Sequence, residues 1–383
     1  MAVVGVPKEI VKGETRVALV PESVSRLKKL GYEIRVESGA GLLSGYADEL
    51  YATEGATIVS DAASLYSGTD VLLKVQGPAQ HNSGKHELEM MKPGSILICF
   101  FLPLNFPELA QKAATHKVNV IAVDQIPRIT KAQRMDALSS QTNLAGYKAV
   151  LIAANELGKI FPLMMTAAGT ISPAKVVILG AGVAGLQAIA TAKRLGAVVD
   201  VSDIRPEVKE QVQSLGGRYI EPPESEEAQT GQGGYAGEVS QEYLDKQREL
   251  LAKHISEANA VITTAQVPGK KAPVLVSEEM VRSMRPGSVI VDMAAEQGGN
   301  CALTKAHETI EVNGVKIVGT VNLPALLPMD ASQLYSRNLL SLIEYLTKEG
   351  QLSLDPEDEI VQGSLVTRDG QVVHERTLKA IGG

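Results

Sequence analysis

The sequence predicts an α/β protein built as two doubly wound domains with parallel sheets, separated by a cleft. Three observations carry that expectation. The chain has 383 residues, too many for one ordinary hydrophobic core. Short β-branched runs alternate with helical patterns from the first residue, the rhythm of a parallel sheet covered by helices on both faces. The segment "VVILGAGVAG", 176–185, reads as a strand running into a glycine-punctuated turn, which makes the second domain Rossmann-like.

Composition bounds the rest. Apolar residues make up 44%, Trp is absent and Phe occurs four times, so the cores must be aliphatic. A net charge of −7 gives no general attraction to nucleic acid or anionic lipid. Cys99 and Cys301 offer neither a disulfide framework nor metal-ligand spacing, which indicates a reducing, cytosol-like compartment. The first sixteen residues lack the apolar core of a signal peptide, and the most hydrophobic stretch, 94–107, is too short to span a bilayer.

The first domain should hold strands near 3–6, 32–37, 70–75, 95–101 and 118–123. "PESVSRLKKLG" (21–31) has Pro at a helix start and Gly past its end. Residues 143–161 read as a long helix leading into the second domain. There the βα rhythm resumes with "KVVIL", "VVDVSD", "RYIE", "AVITTA", "SVIVDM" and "VKIVGT". Met164 and Met165 are expected to pack the helix end. Near Asp330 a last helix begins, with "DASQ" as its cap and Leu339, Leu342, Ile343 and Leu346 as its buried stripe. "SLVTRDGQVV" reads as a hairpin with Asp369 and Gly370 in the turn. The expected boundaries are 1–143 plus 326–383 for the first domain and 144–325 for the second. The polar stretch 221–238 is either an exposed loop or a lid.

The glycine turn carries the most chemistry. Gly180 allows the tight turn, Gly182 lets the backbone approach a pyrophosphate, and Gly185 lets helix and strand touch. Free N–H groups around Val183 and Ala184 face the phosphates at the positive helix end. Asp203, at the end of the next strand, can accept from both adenosine ribose hydroxyls. A 2′-phosphate there would meet like charge, at a cost on the order of several kcal/mol. Arg205 could hold such a phosphate, but an Arg in this loop is more often a surface or pyrophosphate-side residue, so NAD ranks above NADP. Gln266, Glu296 and Asn322, after later strands, are further hydrogen-bonding candidates. The segment 127–147 packs Arg128, Gln133, Asp136, Ser139, Ser140 and Gln141 at the expected seam between domains, where a nicotinamide should point. The six histidines are scattered without ligand spacing.

Three motifs are informative together: "VPKEI…GETRVALVPESV", "PRITKAQ…D…SSQ…NLAGY" and "TAAGTISPAKVVILGAGVAGLQAIATAKRLGA". On them, and on "TTAQVPGKKAPVLVSEEMV", the chain resembles the alanine dehydrogenase/transhydrogenase family. Within it, the likeness is to the NAD(H)-binding component of proton-translocating nicotinamide nucleotide transhydrogenase. The resemblance implies that Arg128, Asp136 and Ser139 hold the nicotinamide carboxamide and that Gln133 reaches the partner nucleotide, making these four the catalytic candidates. It implies that 221–238 is a lid whose Tyr235 folds over the adenosine side. The cofactor-binding candidates are then Gly180, Ala181, Gly182, Val183, Gly185, Asp203, Ile204, Arg205, Gly234, Tyr235, Gln247, Ala265, Gln266 and Asn322; no metal is expected.

The resemblance further implies NADP(H) on a partner component, a membrane-spanning proton-channel subunit, a homodimer, and a peripheral place on the cytoplasmic side of the inner membrane. Alanine dehydrogenases resemble the chain at Arg16 and Lys74, which would bind the substrate carboxylate and carbonyl. They also need a histidine after the next strand, where this sequence reads "ILICFFLPLN". Without that acid/base, reductive amination should slow by roughly a hundredfold or more. Hydride transfer between two nicotinamides consumes no proton and needs proximity, orientation and a dry gap. A free-standing amino-acid dehydrogenase and a non-catalytic NAD(H)-sensing module remain the alternatives.

Overall fold

Six parallel strands begin the first unit, which comprises Met1–Gln141 and Ala325–Gly383 in a computed structural model that describes residues 1–221 and 241–382. Across the sheet they run Thr57–Val59, Glu33–Glu37, Val3–Val6, Val71–Gln76, Ile96–Phe100 and Asn119–Ala122. This is chain order 3-2-1-4-5-6, the doubly wound arrangement. A C-terminal hairpin, Leu365–Arg368 and Gln371–Val372, extends the sheet antiparallel to Asn119–Ala122. Its turn residues Asp369 and Gly370 both have positive φ, as a two-residue hairpin turn requires.

Successive residues of these strands point to opposite faces, and both faces are covered. Leu73 and Ile98 lie in one core with Tyr335, Leu339, Leu342 and Ile343 of the helix Pro328–Leu346. Leu72, Leu97 and Cys99 lie in the other, against Ala110 and Ala113 of the helix Pro107–Thr115. The expected stripe of the last long helix is therefore buried, but its cap differs. The helix starts at Pro328, whose fixed φ suits a first helical position, so Asp330 falls inside the first turn and caps nothing.

The second unit, Thr142–Pro324, repeats the plan. Its strands run Arg218–Tyr219, Val198–Ser202, Lys175–Leu179, Ala260–Thr263, Val289–Asp292, Val315–Val318 and Thr309–Val312. All pairings are parallel except the last, in which Thr309–Val312 turns back on Val315–Val318. Val176 and Ile178 face one core, Val177 and Leu179 the other.

Two expectations fail in the connecting region. The long helix spans Ala137–Glu156, six residues earlier than the sequence suggests, because Asp136 supplies an N-terminal cap that the polar composition of 136–142 conceals. Met164 and Met165 do not pack a helix end. They form, with Gly169–Ile171, a two-stranded hairpin whose side chains are exposed, Met165 to 76%. Of the suspected lid 221–238, only Glu221 belongs to the described residues; Gly234 and Tyr235 lie outside them. No helix among the described residues is long and apolar enough to cross a membrane.

Candidate nucleotide-binding and hydride-transfer residues

In the second unit the glycine turn joins the strand Lys175–Leu179 to the helix Val183–Arg194. Each glycine has a separate reason. Gly180 sits at φ +104°, where an L side chain is strained. A Cβ on Gly185 would collide with the Gly180 carbonyl oxygen, so only glycine lets helix and turn close. Gly182, at the helix N-terminus, has nothing within 4 Å of the place a Cβ would take. That open approach, beside unpaired helix N–H groups and the positive end of the dipole, is the cradle a pyrophosphate needs, and the residues fit a dinucleotide.

Sequence reasoning misses a fourth glycine. Gly146, in "NLAGY", lets the helix Ala137–Glu156 press against the start of the glycine-turn helix; a Cβ there would collide with the Ala184 backbone. Only a close contact between two sequence-distant elements creates that need, and no local pattern announces it.

Asp203 is buried at the end of Val198–Ser202. It ties the strand end to the turn, accepting from the Ala181 N–H at 2.7 Å. Arg205 is neither a free surface residue nor turned toward solvent. Its side chain grips the Asp203 carboxylate as a two-pronged ion pair, and this pairing holds the guanidinium pKa above its usual value despite burial. Ile204 lies between them, half-buried.

At the ends of the later strands, Asn300 is wholly buried and organises the loop after Ala260–Thr263. Its Oδ1 accepts from Ala265 N–H at 3.0 Å, and its Nδ2 donates to the carbonyls of Ala265 and Pro273 at 2.9 and 2.8 Å. Gln266 is exposed but donates to the Met293 carbonyl at 2.7 Å. Asn322 is half-buried with a positive φ of 48°, Glu296 is exposed, and Gln247 is buried on the helix Gln241–Ser256.

In the first unit, residues 127–141 are not a featureless loop. Thr130–Met135 forms a 3-10 helix that buries Ala132 and Met135 and leaves Gln133 exposed. Arg128 is exposed just before it. Asp136 then caps the long helix, its carboxylate accepting from the Ser139 N–H at 2.8 Å and the Ser139 hydroxyl at 2.6 Å. The segment is anchored from behind by the helix Pro328–Leu346. Asn338 donates to the Arg134 carbonyl and accepts from Ser140, and Gln141 donates to the Ala331 carbonyl. Gln141 thus belongs to the scaffold.

Arg16 and Lys74 are both taken up by carboxylates within the first unit. Arg16 forms a two-pronged pair with Glu14 and donates to Gln141 at 2.8 Å. Burial alone would raise the Glu14 carboxyl, but the hydrogen bonds and charge of Arg16, with help from Gln76, take it down to about 2. Lys74 is fully buried, 2.7 Å from Glu87 and 3.3 Å from Glu9, and Tyr66 donates to the same Glu87 oxygen. Burial works against the Lys74 charge, yet Glu9, Tyr66 and Glu87 hold its pKa well above the usual value.

Comparison with known proteins fits both halves of this geometry. The profile "Alanine dehydrogenase/PNT, N-terminal domain" matches residues 5–145, and "Alanine dehydrogenase/PNT, C-terminal domain" matches 149–375. The chain belongs to the alanine dehydrogenase/PNT family. It is 47% identical over 375 residues to an NAD(P) transhydrogenase subunit alpha polypeptide of Rhodospirillum rubrum, covering 97% of each chain. The crystal structure of transhydrogenase from Sinorhizobium meliloti superposes with a TM-score of 0.86 at 44% identity, covering 97% of this chain and 100% of that one. An L-alanine dehydrogenase structure gives 0.81 at 27% identity, covering 99% of each.

Proposed function

We propose that the chain is the NAD(H)-binding subunit of a proton-translocating transhydrogenase and passes hydride from NADH to NADP⁺ held by a separate component. The observation that carries this proposal is the built dinucleotide cradle: the open Gly182, the strained Gly180, and the turn tied through Ala181 to Asp203. Whole-length identity to a relative named as a transhydrogenase subunit supports it. NAD(H), when bound, supplies or accepts a hydride at its nicotinamide ring.

The chain's own residues position and orient. The turn holds the pyrophosphate on backbone N–H groups, Asp203 addresses the ribose, and Ala265, Gln266 and Asn322 border the strand ends. Arg128, Asp136 and Ser139 hold the carboxamide, and the exposed Gln133 reaches the partner's nucleotide. No acid or base is asked of any of them, since hydride transfer between two like rings moves no exchangeable proton. We place the subunit peripherally on the cytoplasmic side of the inner membrane, held by its membrane-spanning and NADP(H)-binding partners, and working as a homodimer. The exposed apolar hairpin, with Met164, Met165 and Ile171 on its surface, supports contact with a second copy.

The experiment is to combine the purified chain with an NADP(H)-binding component and follow reduction of an NADP⁺ analogue by NADH. Transfer that requires both components is expected. The alanine dehydrogenase alternative predicts brisk NADH oxidation by pyruvate and ammonium with this chain alone; the pairing of Arg16 and Lys74 with buried carboxylates argues against it.

A further inference from the structure

A carboxylate has about four lone-pair positions to offer. Those of Asp203 are all engaged within the chain. Oδ1 accepts from the Arg205 backbone N–H and from Arg205 Nε, both at 2.9 Å. Oδ2 accepts from the Ala181 N–H at 2.7 Å and from Arg205 Nη2 at 2.8 Å. The Tyr219 hydroxyl donates to the Asp203 carbonyl at 2.7 Å and reaches the Arg205 carbonyl at 3.3 Å, which pins the backbone of both residues. The two backbone donors are therefore fixed by the fold, and the guanidinium fork is the exchangeable half. Ribose hydroxyls can reach this carboxylate only where the fork now sits.

We propose that Arg205 is a specificity-determining residue: its guanidinium competes with the adenosine ribose hydroxyls for Asp203, and once displaced it is the cation nearest a 2′-phosphate. This rests on the assignment of the second unit as the NAD(H) site. Two consequences follow from the charges. A paired Asp203 repels a 2′-phosphate less than a lone carboxylate does, because the adjacent guanidinium offsets its charge. Affinity for NAD(H) is also lower than Asp203 alone would give, because each binding event must break a two-pronged ion pair. Preference for NAD(H) over NADP(H) is then a balance set inside the Asp203–Arg205 pair, and Arg205 restrains it.

The test uses the full chain with Arg205→Ala and Arg205→Lys, titrated with NADH and with NADPH and read by the fluorescence of the reduced nicotinamide. Both variants keep the backbone N–H groups of Ala181 and of residue 205, so Asp203 retains two donors. Arg205→Ala should bind NADH roughly threefold to tenfold more tightly and NADPH more weakly, widening the affinity ratio about tenfold or more. Arg205→Lys, a point charge without the fork, should fall between. Should Arg205→Ala fail to fold, the lysine variant decides alone by the same shift in ratio. NADH binding that is unchanged or weaker, with an unaltered ratio, would overturn the proposal. An unaltered chain that binds no NADH would instead remove the assignment on which it rests.

Discussion

Asp136 shows how one carboxylate can serve scaffold and site together. It caps the helix Ala137–Glu156 through the Ser139 N–H and hydroxyl, so the pair proposed to hold the carboxamide is already rigid. Gln133 is the contrasting case, an exposed side chain on a 3-10 turn that buries its neighbours Ala132 and Met135. Gln133→Asn, one methylene shorter, should therefore slow hydride transfer by roughly tenfold to a hundredfold while leaving the NADH dissociation constant nearly unchanged. Equal losses in transfer rate and binding would contradict its reach toward the partner nucleotide. The glycines separate in the same way. Gly182→Ala should keep stability within about 0.5 kcal/mol in thermal melts, as expected for a site with open space. It should weaken NADH binding measurably in the same titration. Gly185→Ala, driven against a carbonyl oxygen, should destabilise the second unit by about 1–3 kcal/mol in denaturant melts. The roles of Gly180, Gly182 and Gly185 are legible because strand, glycines and helix are local in sequence. Gly146, Asn300 and the Asp203–Arg205 clasp are not, because each answers to a contact made only after distant segments fold together.

At the scale of elements, the buried pair at the head of the first unit makes a pH prediction. Glu14 is paired with Arg16 and its folded pKa of about 2 lies below the ordinary 4.5. A carboxyl depressed in this way contributes stability that is fully present above pH 4.5 and is lost as pH falls through about 2. The shift corresponds to about 3 kcal/mol at neutral pH. Glu14→Gln should accordingly lower stability most at pH 7, and the gap from the unaltered chain should narrow between pH 4.5 and pH 2 in denaturant titrations. A gap constant across that window would mean that the pair does not hold the carboxylate ionised. Most strands and the C-terminal hairpin can be placed from β-branched runs and turn residues. The errors cluster where polar residues serve structure. The stretch 136–142 reads as loop because its serines and Asp136 form a cap, and Asp330 reads as a cap although Pro328, two residues earlier, has already set the helix start. Met164 and Met165 read as core by composition alone, whereas an exposed two-stranded hairpin places both at the surface.

For the whole molecule, two doubly wound sheets are one plan used twice, and each unit carries a different share of the proposed task. The second holds the nucleotide through its turn. The first presents a rigid polar segment braced by the helix Pro328–Leu346. Its Arg16 and Lys74, the positions at which alanine dehydrogenases resemble this chain, spend their charges on Glu14, Glu9 and Glu87. What decides between transhydrogenation and amino-acid chemistry is the route of the hydrogen. The direct measurement is to supply NADH deuterated at the nicotinamide C4, add the NADP(H)-binding component and NADP⁺, and locate the label by mass spectrometry. Transfer between two rings predicts that deuterium from the reactive face of C4 appears in NADPH with none released to water. Label recovered in solvent, or in an amino acid formed without the second component, would contradict it.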